Sequence, residues 1–523
     1  MNPNTTILPF FEELPSEYSD RLGTFYAKKV TQEHKKNNGQ FFTPTPIAHL
    51  MASYCTSENE SIRILDPGCG FGVLTCALVE HLITQNKNLK FINVVAYETD
   101  KDLVSFSNES FLYLKKWLEI KGIAFDFLLY LEDFVLDRGK ALEDIESSHE
   151  NFDVIISNPP YFKLSKNDER AIVAKRIVGG QTNIYSIFMG ISSKLLKENG
   201  ELVFITPRSF ASGNYFKRFR GLFFSTVQLE KIHLFNSRKD TFNRDSVLQE
   251  TVILKAIKTN INSDSNVTIS SSFGIKDINN PRVKCFSFSQ LINLKSKEKI
   301  LHLPTNDKEE QIFNLVNSWH DNLINFNIHI STGRVVSFRS LNFIKQNKSH
   351  KNVFFAPLFW LQNINKMSID WPIPLKNKGQ FIKVEESSKS ILIPSKNYIL
   401  LRRFSTKDDK SRLIAAPYFC SYYESDFIGV ENKVNYIYRI DGDLEKNEVA
   451  GLSALLNSEL FDTYFQIFNG NVNVSATELR EMRFPSLLDI QKIGNEMISS
   501  NDFSMENINI IINEYYEIEA ILK

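Results

Sequence analysis

Between residues 62 and 258 short apolar runs alternate with helix-periodic stretches, and no other feature constrains the fold so tightly. A parallel strand needs a long return connection, so this alternation describes parallel strands joined by crossover helices. The strands read as "SIRIL" (61–65), "FINVVAYE" (91–98), "FDFLLYLED" (125–133), "FDVIIS" (152–157), "ELVFITP" (201–207) and "QETVILKAI" (249–257), the last closing the unit. The helices read as 73–83, 101–122 and 184–199, the third predicted to stop at Gly200 as its C-cap. A polar loop covers 163–183. The Ser/Asn-rich "KTNINSDSNVTISSS" (258–272) then reads as a linker or a long surface loop.

Beyond about residue 320 short strands mix with aromatics, and 449–468 and 506–522 turn helical. A chain of 523 residues exceeds one ordinary core, so at least two domains are expected. The predicted division is an N-terminal helical extension (1–38), an α/β domain (39–300) and a mixed α+β domain (301–523). No apolar run approaches the roughly 18 residues that span a bilayer, and the N-terminus lacks a signal-peptide pattern. Five scattered cysteines without a C-x-x-C pair argue against a disulfide framework or a metal site, and fit a reducing cytoplasm.

The formal net charge is zero, yet the charge is unevenly placed. From Ser331 to Cys420 there are 16 Lys and Arg against five Asp and Glu, an excess of +11. Such a segment suits a polyanion-binding surface, and equally a solvated lysine-rich face.

"LDPGCGFGVL" (65–74) places Asp66, Pro67, Gly68, Gly70 and Gly72 between a strand and a helix. Glycines there let the backbone approach a ligand. The G-x-G-x-G spacing differs from the G-x-G-x-x-G of dinucleotide binders, and an acid opening the loop suits an ammonium and repels a phosphate. Glu98 ends the second strand, where a carboxylate accepts ribose hydroxyls. Asp133 ends the third, positioned for an adenine amine, with the Phe134 ring to pack on the base. A single strand-terminal acid is more often a helix N-cap. Three in series beside a glycine loop point to S-adenosylmethionine.

The fourth strand stops at Asn158-Pro159-Pro160-Tyr161. Two prolines stiffen the turn and leave carbonyls free. The Asn158 side-chain oxygen and the Pro159 carbonyl can both accept from one amino group. An amine on an aromatic base is a poor nucleophile because its lone pair is delocalised, and two acceptors favour the charge that develops on attack. Tyr161 offers a flat surface for a planar substrate.

With these parts the chain resembles the gamma group of bacterial DNA adenine-N6 methyltransferases of restriction–modification systems. "GQFFTPTPIAHLM" (39–51) looks like the N-terminal cofactor segment of that group, which implies Thr43 and Pro44 near the methionine end of the cofactor. "LDPGCGFG", "YETD", "LEDF" and "SNPPYF" follow in the family order, and 181–210 is similar to the segment walling the target pocket. The resemblance implies a Rossmann-like S-adenosylmethionine-dependent methyltransferase domain followed by a target-recognition domain. It also implies a second aromatic against the target adenine, assigned to Phe242, and base flipping as the route by which N6 reaches the methyl donor. Arg334, Arg402, Arg403 and Lys407 are the candidate DNA contacts, although an arginine on a strand can equally pair with Asp408 or Asp409. The implied partners are double-stranded DNA and a separate restriction endonuclease, with the methylase a monomer.

The N-P-P-Y motif also occurs in methyltransferases acting on RNA base amines or protein glutamine amides. Those are shorter and lack a basic C-terminal domain. A fused nuclease finds little room in the 38 residues before Gly39, and "EIK" (119–121) falls in a helical pattern. A silent specificity factor would not need an intact acid series and N-P-P-Y.

Overall fold

The structure is a computed structural model that describes residues 7–28, 30, 42–143, 151–180, 183–236, 250–346, 354–376, 378–405, 411–470 and 473–518. Its centre is a nine-stranded sheet in the order β3-β2-β1-β4-β5-β7-β6-β8-β9. β1 (Ser61–Asp66), β2 (Phe91–Tyr97), β3 (Ala124–Tyr130), β4 (Phe152–Ser157) and β5 (Leu196–Pro207) are mutually parallel. All six residues of β4 are buried, whereas the edge strand β3 is half-exposed. A strand covered on both faces reads as a continuous apolar run, which is why β4 stood out in the sequence. The chain runs outward from β1 to β3 and then returns to lay β4 on the other side of β1. The turns after β1 and β4 therefore meet at a topological switch point, where open α/β sheets place their ligands.

Helices α1 (Pro15–Ala27), α2 (Thr45–Ala52), α3 (Val73–Gln85), α4 (Lys101–Ile120), α5 (Phe134–Arg138), α6 (Glu169–Val173), α7 (Ile184–Leu195) and α8 (Lys217–Thr226) accompany the sheet. α1 is bonded into this unit: Ser19 Oγ donates to Phe71 O at 2.8 Å, and Ser16 N–H to Glu80 Oε1 at 2.7 Å.

Two expectations fail here. The helix predicted to run to 199 ends at Leu195, and Leu196 to Gly200 open β5 instead. Gly200 is thus not a C-cap. A Cβ on it would lie 2.9 Å from both Lys197 O and Phe152 O, so the glycine permits a tight approach to β4. The predicted linker 258–272 contains β8 (Asn266–Ser272), and the sheet continues through β9 (Arg282–Ser287). β8 lies parallel to β6 (Gln228–Phe235), a strand whose run is interrupted by Glu230 and Lys231. The serines of β8 serve a buried imidazole: His233 Nδ1 lies 2.8 Å from Ser270 Oγ and Nε2 2.9 Å from Ser272 Oγ. Burial lowers this histidine to about 4, so it is neutral and needs such partners. Between β5 and β6 lies β7 (Thr251–Ile257), antiparallel to both.

The chain divides into two compact units, Met1–Thr305 and Asn306–Lys523. The second holds a four-stranded sheet (Ile328–Thr332, Val434–Arg439, Tyr398–Arg402, Ala415–Tyr418) and a five-stranded one (Ile344–Lys345, Phe381–Lys383, Phe355–Phe359, Phe427–Val430, Leu392–Pro394). Helices Lys446–Asn457 and Leu487–Ser500 cross at glycine contact, a Cβ on Gly494 falling 1.8 Å from Asn447 O and one on Gly451 2.0 Å from Ile490 O. The helical stretch expected at 449–468 breaks at Ser458, whose hydroxyl caps the next helix, Glu459–Phe468.

Candidate active site

The turn after β1 is pinned from several sides. Cys69 N–H donates to Tyr97 O at 2.9 Å, Gly70 N–H to Glu98 Oε2 at 3.1 Å, and Ser107 Oγ to Gly70 O. Gly70 and Gly72 both have positive φ, +53° and +80°. A Cβ on Gly72 would come 2.7 Å from Phe111 Cε1, so this position requires glycine for both conformation and space. The loop opens onto a cavity of about 340 Å³.

Of the residues expected at a cofactor, Pro67, Gly68, Gly70, Glu98, Asp133, Phe134 and Asn158 line this cavity, joined by Pro160 of the catalytic motif. Glu98 Oε1 accepts from the Thr99 and Asp100 amides at 2.8 and 2.9 Å. Burial raises its carboxyl above the ordinary value, partly offset by these amides and that of Gly70. Asp133 is also the N-cap of α5, its Oδ1 accepting from Val135 and Leu136 N–H at 2.8 and 3.1 Å. Its Oδ2 lies 3.6 Å from Arg170. The helix-cap reading of this acid therefore holds beside its position on the cavity wall.

The structure places the remaining candidates elsewhere. Asp66 is fully buried behind the loop, accepting the Thr75 hydroxyl proton at 2.8 Å. Its Oδ1 is buried and makes no hydrogen bond of normal geometry among the described residues. Burial raises its carboxyl to about 7, with Thr75 and the Gly68 amide pulling the other way. Gly72 and Pro44 cap α3 and α2. Thr43, largely buried, accepts from Asn158 Nδ2 at 3.0 Å.

Tyr161 is half-buried; its hydroxyl lies 2.6 Å from Asn158 Oδ1 and 3.0 Å from Ile205 O. Burial pushes that phenol well above its ordinary value, so it stays protonated and donates. Its ring stands edge-on to Tyr185 at 6.2 Å. Phe242 lies outside the described residues.

Sequence reasoning missed several lining groups. Ile184 and Phe188 share one face of α7, and Phe188 packs on Phe134 at 5.1 Å, so two rings form one wall. The i, i+4 spacing was the available signal. Phe42, Phe162 and Arg170 also line the cavity, with Arg170 over the Phe162 ring at 5.3 Å. Arg170 is held by Asp168, the N-cap of α6, inside the stretch read as loop.

Residues 78–242 match the family described as "Eco57I restriction-modification methylase". Across most of its length the chain is similar to the type II methyltransferase M.PstI of Providencia stuartii, with 33% identity over 482 residues that cover 91% of this chain and 92% of the relative. The chain belongs to the type II restriction–modification methyltransferases. M.BsuBI of Bacillus subtilis is 31% identical over 473 residues, covering 90% and 91% of the two chains. The α/β unit with its mostly parallel sheet is the methyltransferase fold expected from the sequence, and the mixed α+β unit follows it.

In the second unit of this type II methyltransferase the arginine candidates separate. Arg334 is exposed. Arg402 is engaged by its own chain, Nε donating to Ile364 O at 2.6 Å and Nη2 to Asn365 Oδ1 at 2.9 Å. Arg403 donates to Asn432 O at 3.0 Å and lies over Phe404. Lys407, with Asp408 and Asp409, lies outside the described residues. No helix among the described residues is long and apolar enough to cross a membrane.

Proposed function

We propose that this type II methyltransferase moves a methyl group from S-adenosylmethionine to N6 of an adenine flipped out of duplex DNA, as a member of the gamma group. The observation that carries the reading is the position of Asn158. It follows β4 directly at the switch point and lines the same cavity as Glu98, Asp133 and Phe134. The cavity volume falls in the range of small-molecule sites, about 300–1,000 Å³. Two acids and two packed rings suit a ribose and an adenine, so the residues present fit the cofactor. When bound, S-adenosylmethionine supplies an electrophilic methyl group.

Glu98 takes the ribose hydroxyls, and Phe134 with Phe188 packs on the base. Asp133, on the cavity wall, would hold the adenine amine of the cofactor. The target base stacks on Tyr161, while Asn158 Oδ1 and the Pro159 carbonyl accept its amino protons and favour the charge that develops on N6. Flipping costs a few kcal/mol of stacking and pairing. The excess of basic groups between Ser331 and Cys420 neutralises phosphates. We place the enzyme in the cytoplasm as a monomer beside a separate endonuclease.

Incubation with methyl-labelled S-adenosylmethionine and DNA, RNA or protein, followed by mapping of the modified base, tests this reading. Label at adenine N6 in DNA is expected. Label confined to RNA amines or protein amides would overturn it. Asn158→Ala should lose about 10²–10³-fold in rate, the cost of removing one group that stabilises a transition state.

A further inference from the structure

The amide of Asn158 can act only if it presents its oxygen, not its NH2, to the incoming amine. The two ends of the group are nearly equal in size, so its neighbours must decide the orientation. The Tyr161 hydroxyl is 2.6 Å from one end. That is a normal O–H···O separation and shorter than an N–H···O bond, so the oxygen faces Tyr161. Thr43 Oγ1 is 3.0 Å from the other end, the normal N–H···O separation. The NH2 therefore donates to Thr43.

We propose that Thr43 is the positioning residue for methyl transfer: its hydroxyl anchors Asn158 Nδ2 and keeps Oδ1 turned toward the Tyr161 side, where the target base enters. This rests on the function proposed above and reassigns a residue that the family resemblance placed at the cofactor. Thr43 suits the task because it precedes α2 by two residues and is only 6% exposed. Water cannot readily replace its hydroxyl there.

Tyr161 completes the arrangement. Its single proton has two acceptors within reach, Asn158 Oδ1 and, at 3.0 Å, Ile205 O. When an amino group arrives at Oδ1, the phenol can turn its proton to the Ile205 carbonyl and remain satisfied. The acceptor is thus covered before the base enters and released without leaving a buried donor unpaired.

Thr43→Val and Thr43→Ser, in the full chain, test the proposal. Single-turnover methyl transfer to unmethylated DNA at saturating S-adenosylmethionine gives the rate, and equilibrium binding gives the cofactor affinity. Thr43→Val should slow transfer about 10–100-fold, less than removal of a direct stabilising group, with cofactor affinity unchanged. Thr43→Ser, which keeps the hydroxyl, should recover most of the rate. Retained cofactor binding also shows that the variant is folded. Thr43→Val at the wild-type rate overturns the proposal, as does a loss of cofactor affinity with the saturated rate intact, which would return Thr43 to the cofactor. Failure of the wild-type chain to label DNA at all overturns the proposed function and this inference together, so the two failures are distinguishable.

Discussion

Asp66 keeps its proton to about pH 7 because burial disfavours the carboxylate, whereas in the unfolded chain it ionises near 3.8. Between those values the folded chain binds more protons than the unfolded one, so this group's effect on stability worsens as pH rises through the window. Glu98 shifts in the same direction, also through burial. Asp66→Asn removes the Asp66 contribution, and Thr75 can still donate to the amide oxygen. The thermal midpoint of the variant should fall less between pH 5 and pH 8 than that of the wild type. Equal falls would show that Asp66 ionises freely in the folded chain. A carboxyl held neutral at the foot of the glycine loop also explains why it was visible in the sequence as an acid while its position behind the cavity was not. Strand-end acids could be located by their place in the chain, but which side of the loop each faces depends on Thr75 and the Gly68 amide, contacts no spacing rule encodes.

Among the elements, the crossing of helices Lys446–Asn457 and Leu487–Ser500 is the most exacting. With Gly494 and Gly451 each facing a carbonyl of the opposite helix, any side chain forces the pair apart. Gly494→Ala should destabilise the second unit by about 1–3 kcal/mol or more, the usual cost of overpacking. A denaturation midpoint unchanged from wild type would contradict such close packing. The same scale shows what was legible. β1, β2, β4, β5 and β7 follow apolar runs because they lie in the interior of the sheet, and the edge strand β3 is legible from its own aromatic and leucine run. β6 and β8 escaped notice because charges and hydroxyls occupy them: Lys255 on β7 pairs with Glu201 at 2.7 Å and Glu230 at 3.0 Å, and His233 draws on two serines. Buried polar groups that satisfy one another look like surface in a sequence. The end of α7 was misread for a related reason, since Gly200 marks a close approach of β5 to β4 and not a helix terminus.

For the whole molecule, a zero net charge hides a basic segment, and the proposed function makes the salt dependence of DNA binding its measurable consequence. Affinity for DNA should fall steeply with salt, by roughly 10³–10⁵ between 50 and 200 mM if six to ten phosphates are contacted. Replacing exposed Arg334 with Ala should reduce the log–log slope by about one without changing thermal stability. Arg402→Ala should instead lower the thermal midpoint, because its guanidinium holds the Ile364 carbonyl and the Asn365 side-chain oxygen. Equal effects of the two variants on slope and on stability would refute this division of roles.

The order of strands also governs when the sheet can be finished during synthesis. β2 to β5 can each find a neighbour among strands already made, but β6 is bonded only to β7 and β8, which emerge after it. Until residue 257 has left the ribosome, β6 carries two bare edges, the condition under which strands pair with the wrong chain. Glu230 and Lys231, which interrupt the apolar run of β6, also make those waiting edges less sticky.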